Sequence, residues 1–140
     1  MSQELRLLEG LPPEDEQAIL DLLRAYNVAN FGERDRRDLA IPIYDDSNEV
    51  IGGLVGYTGR GWLYVQMLFI PENMRGQGIA GRLLRMAEDE AQARGCIGAY
   101  IDSMNPDAVK AYQKYGYEIA GHVGPLTAGN HVTWLSKRFR

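Results

Sequence analysis

The chain has 140 residues, of which 45% are hydrophobic and 24% charged, and this average composition predicts one globular domain over residues 1–140. A single cysteine excludes an internal disulfide, the two histidines fit no recognised zinc motif, and neither a membrane span nor a signal peptide is indicated, so we expect a metal-free cytoplasmic protein. Nineteen acidic against fifteen basic residues, a net charge of -4, argue against a general nucleic-acid binder.

The first forty residues predict one strand and one helix. Leu5–Glu9 is a short apolar run of the kind found in strands. Pro13 is followed by three acidic residues, which is typical of a helix start, and apolar residues continue at helical spacing to Tyr26. We interpret the polar segment 27–38 as a loop or a short second helix.

The remaining sequence predicts a mixed sheet with helices packed on it. Apolar runs between turn signals give strands at Leu39–Tyr44, Val50–Tyr57, Trp62–Ile70, Ile97–Ile101, Tyr117–Val123 and Val132–Leu135, and helices at Gly78–Arg94 and Pro106–Tyr115. The segment Trp62–Ile70 is apolar at almost every position, which predicts a central strand covered on both faces. A strand, helix, strand succession after antiparallel hairpins is typical of an α/β or α+β domain.

Glycine exceeds its average share, with sixteen copies concentrated in two clusters. The first cluster, Gly52–Gly61, is interpreted as serving strand irregularities and a turn. The second lies in Ile70–Gly81, which joins the central strand to the clearest helix. A helix N-terminus offers free N–H groups and partial positive charge, glycines allow close approach, and Arg75 adds a charged donor. This segment therefore predicts a phosphate-bearing ligand.

The same glycines match the spacing of the dinucleotide-binding fingerprint. Gly76, Gly78 and Gly81 fit that pattern, and Asp102 follows at about the distance where the fingerprint has its acidic residue. However, residues 71–75 separate the glycines from the strand, and the predicted first strand raises the number of preceding strands to four. Neither feature is typical of that fold, so a dinucleotide-binding protein is kept as an alternative. A Walker P-loop is excluded, because no lysine with serine or threonine follows the glycines.

Two motifs carry a resemblance to a known family. Residues 75–80, Arg-Gly-Gln-Gly-Ile-Ala, resemble the Arg/Gln-x-x-Gly-x-Gly/Ala signature of the GCN5-related N-acetyltransferase (GNAT) superfamily. A second signature of that family resembles residues 105–117, with Asn105, Ala108, Tyr112, Gly116 and Tyr117 at matching positions. The resemblance is to short, single-domain members. It implies an acyl-CoA N-acyltransferase fold, a central mixed sheet flanked by about four helices.

The resemblance also implies a binding site for acetyl-CoA. The backbone at the end of the central strand would pair with the pantetheine arm, the glycine loop would wrap the pyrophosphate, Asn105 would reach the pantetheine region, and Tyr112 would protonate the leaving thiolate. The implied site residues are Leu68, Phe69, Ile70, Arg75, Gly76, Gln77, Gly78, Ile79, Ala80, Gly81, Asn105 and Tyr112.

Two of these residues also have structural interpretations. Tyr112 shares a helix face with Ala108, Ala111 and Tyr115, so its ring could simply pack against the core. Asn105 precedes a proline and an aspartate and is a good helix N-cap. No general base is assigned, and the candidates are Glu33, Tyr64, Glu72, Asp102 and His131. We expect Cys96 to be a small buried hydrophobe and residues 137–140 to form a solvated end.

These observations predict an acetyl-CoA-dependent N-acetyltransferase that uses direct transfer to a primary amine in a ternary complex. We expect a small-molecule or metabolite amine, and the acidic balance favours a cationic one. The resemblance implies that residues 26–38 and 125–131 bind this amine. The alternatives are a non-catalytic acyl-CoA-binding module and an enzyme that acetylates protein N-termini or lysines. Expected partners are therefore acetyl-CoA and an amine, with no nucleic acid, no membrane, and a homodimer left open.

Overall fold

The computed structural model describes residues 4–140, which divide after Arg34 into two compact units. The first unit holds helix α1 (Pro13–Phe31), which begins at the predicted proline. The prediction of a strand at Leu5–Glu9 is wrong, because no described strand pairs with it, and a short apolar run does not by itself specify a strand. The helix also continues past Tyr26 through part of the segment predicted as a loop or a short second helix, and Gly32 is its C-cap.

The second unit is a six-stranded mixed sheet with helices, as predicted. Its elements are β1 (Arg37–Tyr44), β2 (Val50–Gly59), β3 (Trp62–Phe69), a 3-10 turn (Glu72–Met74), α2 (Ile79–Ala93), β4 (Gly98–Ser103), α3 (Pro106–Lys114), β5 (Glu118–Val123) and β6 (Val132–Arg138). The strand order is β1-β2-β3-β4-β6-β5, and only β3 and β4 are parallel. Within residues 4–140 there are three α-helices instead of about four, and three strands instead of four precede the glycine loop.

One face of the sheet forms the core with α2 and α3. Leu63, Val65 and Ile101 are almost completely buried there. The other face carries Tyr57, Trp62, Tyr64, Tyr100 and Trp134, which we call the aromatic face. Over residues 62–65 of β3 buried residues alternate with half-buried ones, and Gln66, Met67 and Phe69 are exposed, so the prediction of a strand covered on both faces is wrong. Aromatic side chains on the second face made the sequence resemble that of a fully buried strand.

A bulge separates the ends of the two parallel strands. Val55 pairs with Met67 but Gly56 pairs with Val65, which leaves Gln66 without a partner. A Cβ on Gly56 would collide with the Tyr64 carbonyl oxygen, which confirms the prediction that this glycine cluster serves a strand irregularity. Bulges bend a strand, and β3 pairs with β4 only as far as Val65. A gap therefore opens between β3 and β4 at their carboxyl ends.

Helix α2 is tied to the sheet by the arginine at its C-terminus. Arg94 donates hydrogen bonds to the carbonyl oxygens of Arg37 and Asp38 and to the Thr58 hydroxyl. Cys96 follows, half-buried and packed against the core, where burial raises its pKa. These contacts anchor the C-terminal end of α2 to β1 and β2. No helix within residues 4–140 is long and apolar enough to cross a bilayer.

Candidate active site

The glycine loop connects the end of β3 to the N-terminus of α2. Gly76 and Gly78 both adopt φ of 76°, a left-handed conformation that strains residues with a side chain. Gly78 is the N-cap of α2, and no side chain caps the helix. The first N–H groups of α2 are therefore available to a ligand, and no Cβ stands in their way at either glycine.

The third glycine of the motif has a different role. A Cβ on Gly81 would lie 2.6 Å from Cε1 of Tyr115, so this glycine allows α2 and α3 to pack closely. Gln77 donates a hydrogen bond to the Asn73 carbonyl oxygen within the loop. Neither Gly81 nor Gln77 lines the cleft described below, whereas the other ten predicted site residues do.

The cleft consists of two adjoining cavities of about 490 and 280 Å³. The larger begins at the end of β3 and reaches Asn105 and Tyr112 on the α3 side. The smaller lies against the glycine loop and reaches Lys114. Both are lined by Ile70, Arg75, Gly76, Ala80 and Ala111, so the cleft runs from the strand gap to the helix N-terminus. Sequence reasoning missed Lys114, although it follows Ala111 by three residues on the same helix.

Arg75 fixes the entrance of the loop. Its Nε donates a hydrogen bond of 2.9 Å to the Ile70 carbonyl oxygen, and its guanidinium carbon lies 5.5 Å from the centre of the Phe69 ring. The terminal guanidinium nitrogens make no hydrogen bond to residues 4–140, and they remain available for an anion.

Both interpretations of Asn105 fit the structure. Its side-chain oxygen accepts a hydrogen bond of 2.9 Å from the Asp107 N–H, which caps α3, and the residue also lines the larger cavity. Tyr112 is 6% exposed and packs against the Tyr117 ring, yet it lines the same cavity. Its hydroxyl makes no hydrogen bond to the described residues. Burial, with a smaller contribution from Asp102, raises the pKa of Tyr112 to about 12.

The structure brings together two of the five candidate bases. Tyr64 donates a hydrogen bond of 2.7 Å to Oδ1 of Asp102 on the aromatic face. Glu72 begins the 3-10 turn, and Glu33 belongs to the first unit. His131 lies beside His122 at a separate cavity of about 620 Å³ between α3 and the hairpin of β5 and β6. Tyr64 and Asp102 are thus adjacent at the point where β3 and β4 separate.

Stability should fall steeply above pH 10. The pKa of Tyr112 is about 12 in the fold against about 10 when unfolded, so the folded state keeps its proton while the unfolded state loses one. Stability is complete below pH 10 and is lost as the pH rises toward 12, with about 2 kcal/mol from Tyr112. Urea unfolding midpoints at pH 8, 10 and 11 test this. Tyr112→Phe should reduce the decline, exposed Tyr44→Phe should not, and equal declines in both would contradict the assignment.

Comparison with known proteins agrees with this architecture. The model of the Acetyltransferase (GNAT) family matches residues 5–117. The chain is 64% identical over 126 residues to Acetyltransferase Atu2258 of Agrobacterium fabrum (strain C58), covering 90% of this chain and 92% of that protein. It is 35% identical over 85 residues to blasticidin-S acetyltransferase of Streptomyces morookaense, covering 60% and 62% respectively.

The fold comparison gives the same result. A crystal structure of a proposed acetyltransferase from Agrobacterium tumefaciens superimposes with a TM-score of 0.93 at 59% identity, covering 98% of this chain and all of that one. The match with the family model extends across the glycine loop and both signature segments, and the fold is the one that the signatures predicted. The chain is therefore an acyltransferase-type enzyme that belongs to the Acetyltransferase (GNAT) family.

Proposed function

We propose that the enzyme transfers the acetyl group of acetyl-CoA to a primary amine of a small molecule, by direct attack in a ternary complex. The observation that carries this proposal is the continuous cleft, which joins an open strand edge, an uncapped helix N-terminus and the buried Tyr112. Each part matches one portion of acetyl-CoA: Tyr112 the thioester, the strand edge the pantetheine arm, and the helix N-terminus the pyrophosphate. Family membership supports the same donor.

The residues present fit this donor. Beyond Val65 the β4-side edge of β3 has no strand partner, so its backbone groups can pair with the amides of a pantetheine arm. The N–H groups at the start of α2, with Arg75 and Lys114, supply positive charge for a pyrophosphate. When bound, acetyl-CoA supplies a thioester whose carbonyl carbon accepts the amine nitrogen and whose thiolate leaves.

Tyr112 is proposed to assist departure of the thiolate. Its raised pKa keeps the phenol protonated throughout the neutral range, so its hydroxyl donates a hydrogen bond to a developing negative charge. Complete transfer of the proton to a thiolate whose acid has a pKa near 8.5 is uphill from about 12. The phenol therefore acts mainly as a hydrogen-bond donor and keeps its proton. The proton that the amine loses balances the one that the thiolate finally takes from solvent.

A small-molecule acceptor is supported by one relative. The Streptomyces morookaense protein is named for blasticidin S, and the matched segment covers 62% of it. The excess of acidic residues favours a cationic amine over an anionic substrate. We also propose a cytoplasmic location, and a homodimer stays an open prediction for the oligomeric state.

Acetyl-CoA should raise the melting temperature, and Arg75→Ala should reduce that increase. Arg75 lines both cavities with free guanidinium nitrogens, and its loss is expected to weaken acetyl-CoA binding about tenfold. Thermal shift measures the effect, with NAD as the competing ligand. Arg85→Ala removes an exposed charge of the same kind from α2 and should leave the shift unchanged. Stabilisation by NAD and none by acetyl-CoA would overturn the proposal.

The acceptor class is tested by thiol release from acetyl-CoA in a panel of amines. Small primary amines are expected to increase the rate, whereas lysine-containing and free N-terminal peptides are not. Release that is stimulated only by the peptides would replace the small-molecule acceptor with a protein. Acetyl-CoA binding without stimulation by any amine would indicate that another acceptor chemistry is used.

A further inference from the structure

We propose that the aromatic face carries an alkylammonium-binding site centred on the Asp102 carboxylate, where the amine acceptor is held. This inference rests on the proposed function and names its substrate class more closely: a cationic amine recognised by one carboxylate and a wall of aromatic rings. The site lies within the second unit, on the side of the sheet opposite the core.

The neighbours of Asp102 fix its side chain through one carboxylate oxygen and leave the other without a hydrogen bond from residues 4–140. Asp102 follows Ile101, the last residue of β4 that pairs with β3, and it is the cross-strand partner of Trp134. Its Oδ1 accepts the 2.7 Å hydrogen bond from the Tyr64 hydroxyl, which fixes the carboxylate. Its Oδ2 accepts no hydrogen bond from residues 4–140, and no buried polar side-chain atom in that range lacks a partner, so Oδ2 is accessible to a ligand.

The carboxylate also lacks a counter-ion. None of the three ion pairs in the described part of the chain includes Asp102, although its side chain is only half-exposed. Its charge contributes to the raised pKa of Tyr112 on α3. A partly buried carboxylate gains from a cation that replaces lost hydration. An ammonium group on Oδ2 would supply that cation.

The surrounding rings suit a cation as well. The Tyr64 ring stacks on Tyr100 with 4.7 Å between their centres, and the centre of the Trp134 ring lies 6.2 Å from that of Tyr64. The faces of such rings attract cations within about 6 Å. One cation already uses this surface, because the Arg36 guanidinium lies 3.9 Å from the centre of the Tyr57 ring.

Asp102 lies where an amine would have to be held in order to attack the thioester. Asp102 is at the end of the paired part of β4, and the larger cavity begins at the unpaired part of β3 and contains Tyr112. An amine held by Oδ2 would therefore lie on the aromatic-face side of the gap between the strands, and its nitrogen would attack through that gap toward the cavity that contains Tyr112. Attack requires a neutral amine, so the ammonium gives one proton to water and keeps an N–H to Asp102. Asp102 is thus a substrate-binding group that touches the reacting nitrogen.

Binding can be measured without catalysis. Phenethyltrimethylammonium is a permanent cation with no nitrogen to acetylate, phenethylamine is the reactive counterpart, and 2-phenylethanol is a neutral analogue. Quenching of tryptophan fluorescence on titration should show saturable binding of both cations to the native protein. Asp102→Asn should weaken that binding at least about tenfold, as expected for loss of a charge-assisted contact, and should leave 2-phenylethanol unchanged.

A matched variant and two further readouts separate the possible failures. Asp46→Asn removes an equal charge from the exposed turn between β1 and β2 and should bind both cations normally. Melting temperature with and without acetyl-CoA reports on folding and on the donor site. Equal cation affinity in Asp102→Asn and native protein, or no saturable binding of either cation to native protein, overturns this inference. Loss of the acetyl-CoA shift in native protein instead overturns the proposed function.

Discussion

Replacing Tyr112 with phenylalanine should lower kcat about tenfold or more while acetyl-CoA affinity stays nearly unchanged. The substitution removes only the hydroxyl, which makes no hydrogen bond to residues 4–140, from a residue that lines the larger cavity. The ring keeps its core packing against Tyr117, so folding should be preserved. Thiol release measures kcat, and thermal shift or calorimetry with acetyl-CoA measures binding. The hydroxyl would then act on the leaving group and not on the affinity for the donor.

A structural interpretation of Tyr112 gives a different result. If the ring only packs, Tyr112→Phe should leave kcat unchanged, while a smaller replacement such as Tyr112→Leu should lower both stability and activity. Tyr44→Phe removes a hydroxyl from an exposed strand residue and serves as the matched control. An unchanged kcat in Tyr112→Phe, with a normal melting temperature, would remove Tyr112 from the chemistry.

The order of elements could be predicted because periodicity and turn residues act locally. Helix α2 has apolar residues on one side and charged residues on the other, and the predicted range 78–94 exceeds its bounds by one residue at each end. The predictions failed where the structure of a segment depends on the elements that pack beside it. Leu5–Glu9 has the apolar content of a strand but no described strand beside it, and Trp62–Ile70 has one buried face and one aromatic face. Apolar content alone does not distinguish those cases.

The residues of the candidate site could be predicted where the backbone conformation requires a particular residue type, such as glycine. The left-handed conformations of Gly76 and Gly78 leave a clear sequence signal, whereas Gly81 owes its place to Tyr115 on another element. The pairing of Tyr64 with Asp102 joins residues 38 positions apart and carries no local pattern. Such contacts arise from strand register, which a single sequence does not reveal.

Lys137 is the residue for which the sequence-based expectation differs most clearly from the structure. The basic end of the chain, 137–140, predicts a solvated tail, but Lys137 lies in β6 and this expectation is wrong. Its Nζ donates 2.8 Å and 3.1 Å hydrogen bonds to Oε1 of Glu88 and to the Tyr115 carbonyl oxygen. Glu88 is 7% exposed, and its Oε2 accepts a 2.8 Å hydrogen bond from the Tyr117 hydroxyl. One buried carboxylate thus connects α2, β6 and the start of β5.

Lys137→Met should lower the free energy of unfolding by about 3 kcal/mol, the largest loss of stability that we expect from one surface-to-core contact. Without the ammonium, Glu88 stays buried with only the Tyr117 hydroxyl as a hydrogen-bond donor. A buried charge that has lost its partner destabilises the folded state by more than the intact ion pair stabilises it. Urea unfolding at pH 7 measures the change. Lys110→Met removes an exposed lysine from α3 and should change stability by less than about 0.5 kcal/mol.

The double variant distinguishes a charge effect from lost packing. Glu88→Leu combined with Lys137→Met removes both charges and fills the site with apolar atoms, so it should recover much of the stability that Lys137→Met loses. If only the packing of the lysine stem matters, the two substitutions should instead add. Because α2 carries the glycine loop on its N-terminus, the destabilised Lys137→Met should also show a smaller thermal shift with acetyl-CoA, and the double variant should restore it. Additive losses with no recovery of that shift would show that Glu88 and Lys137 do not act as a pair.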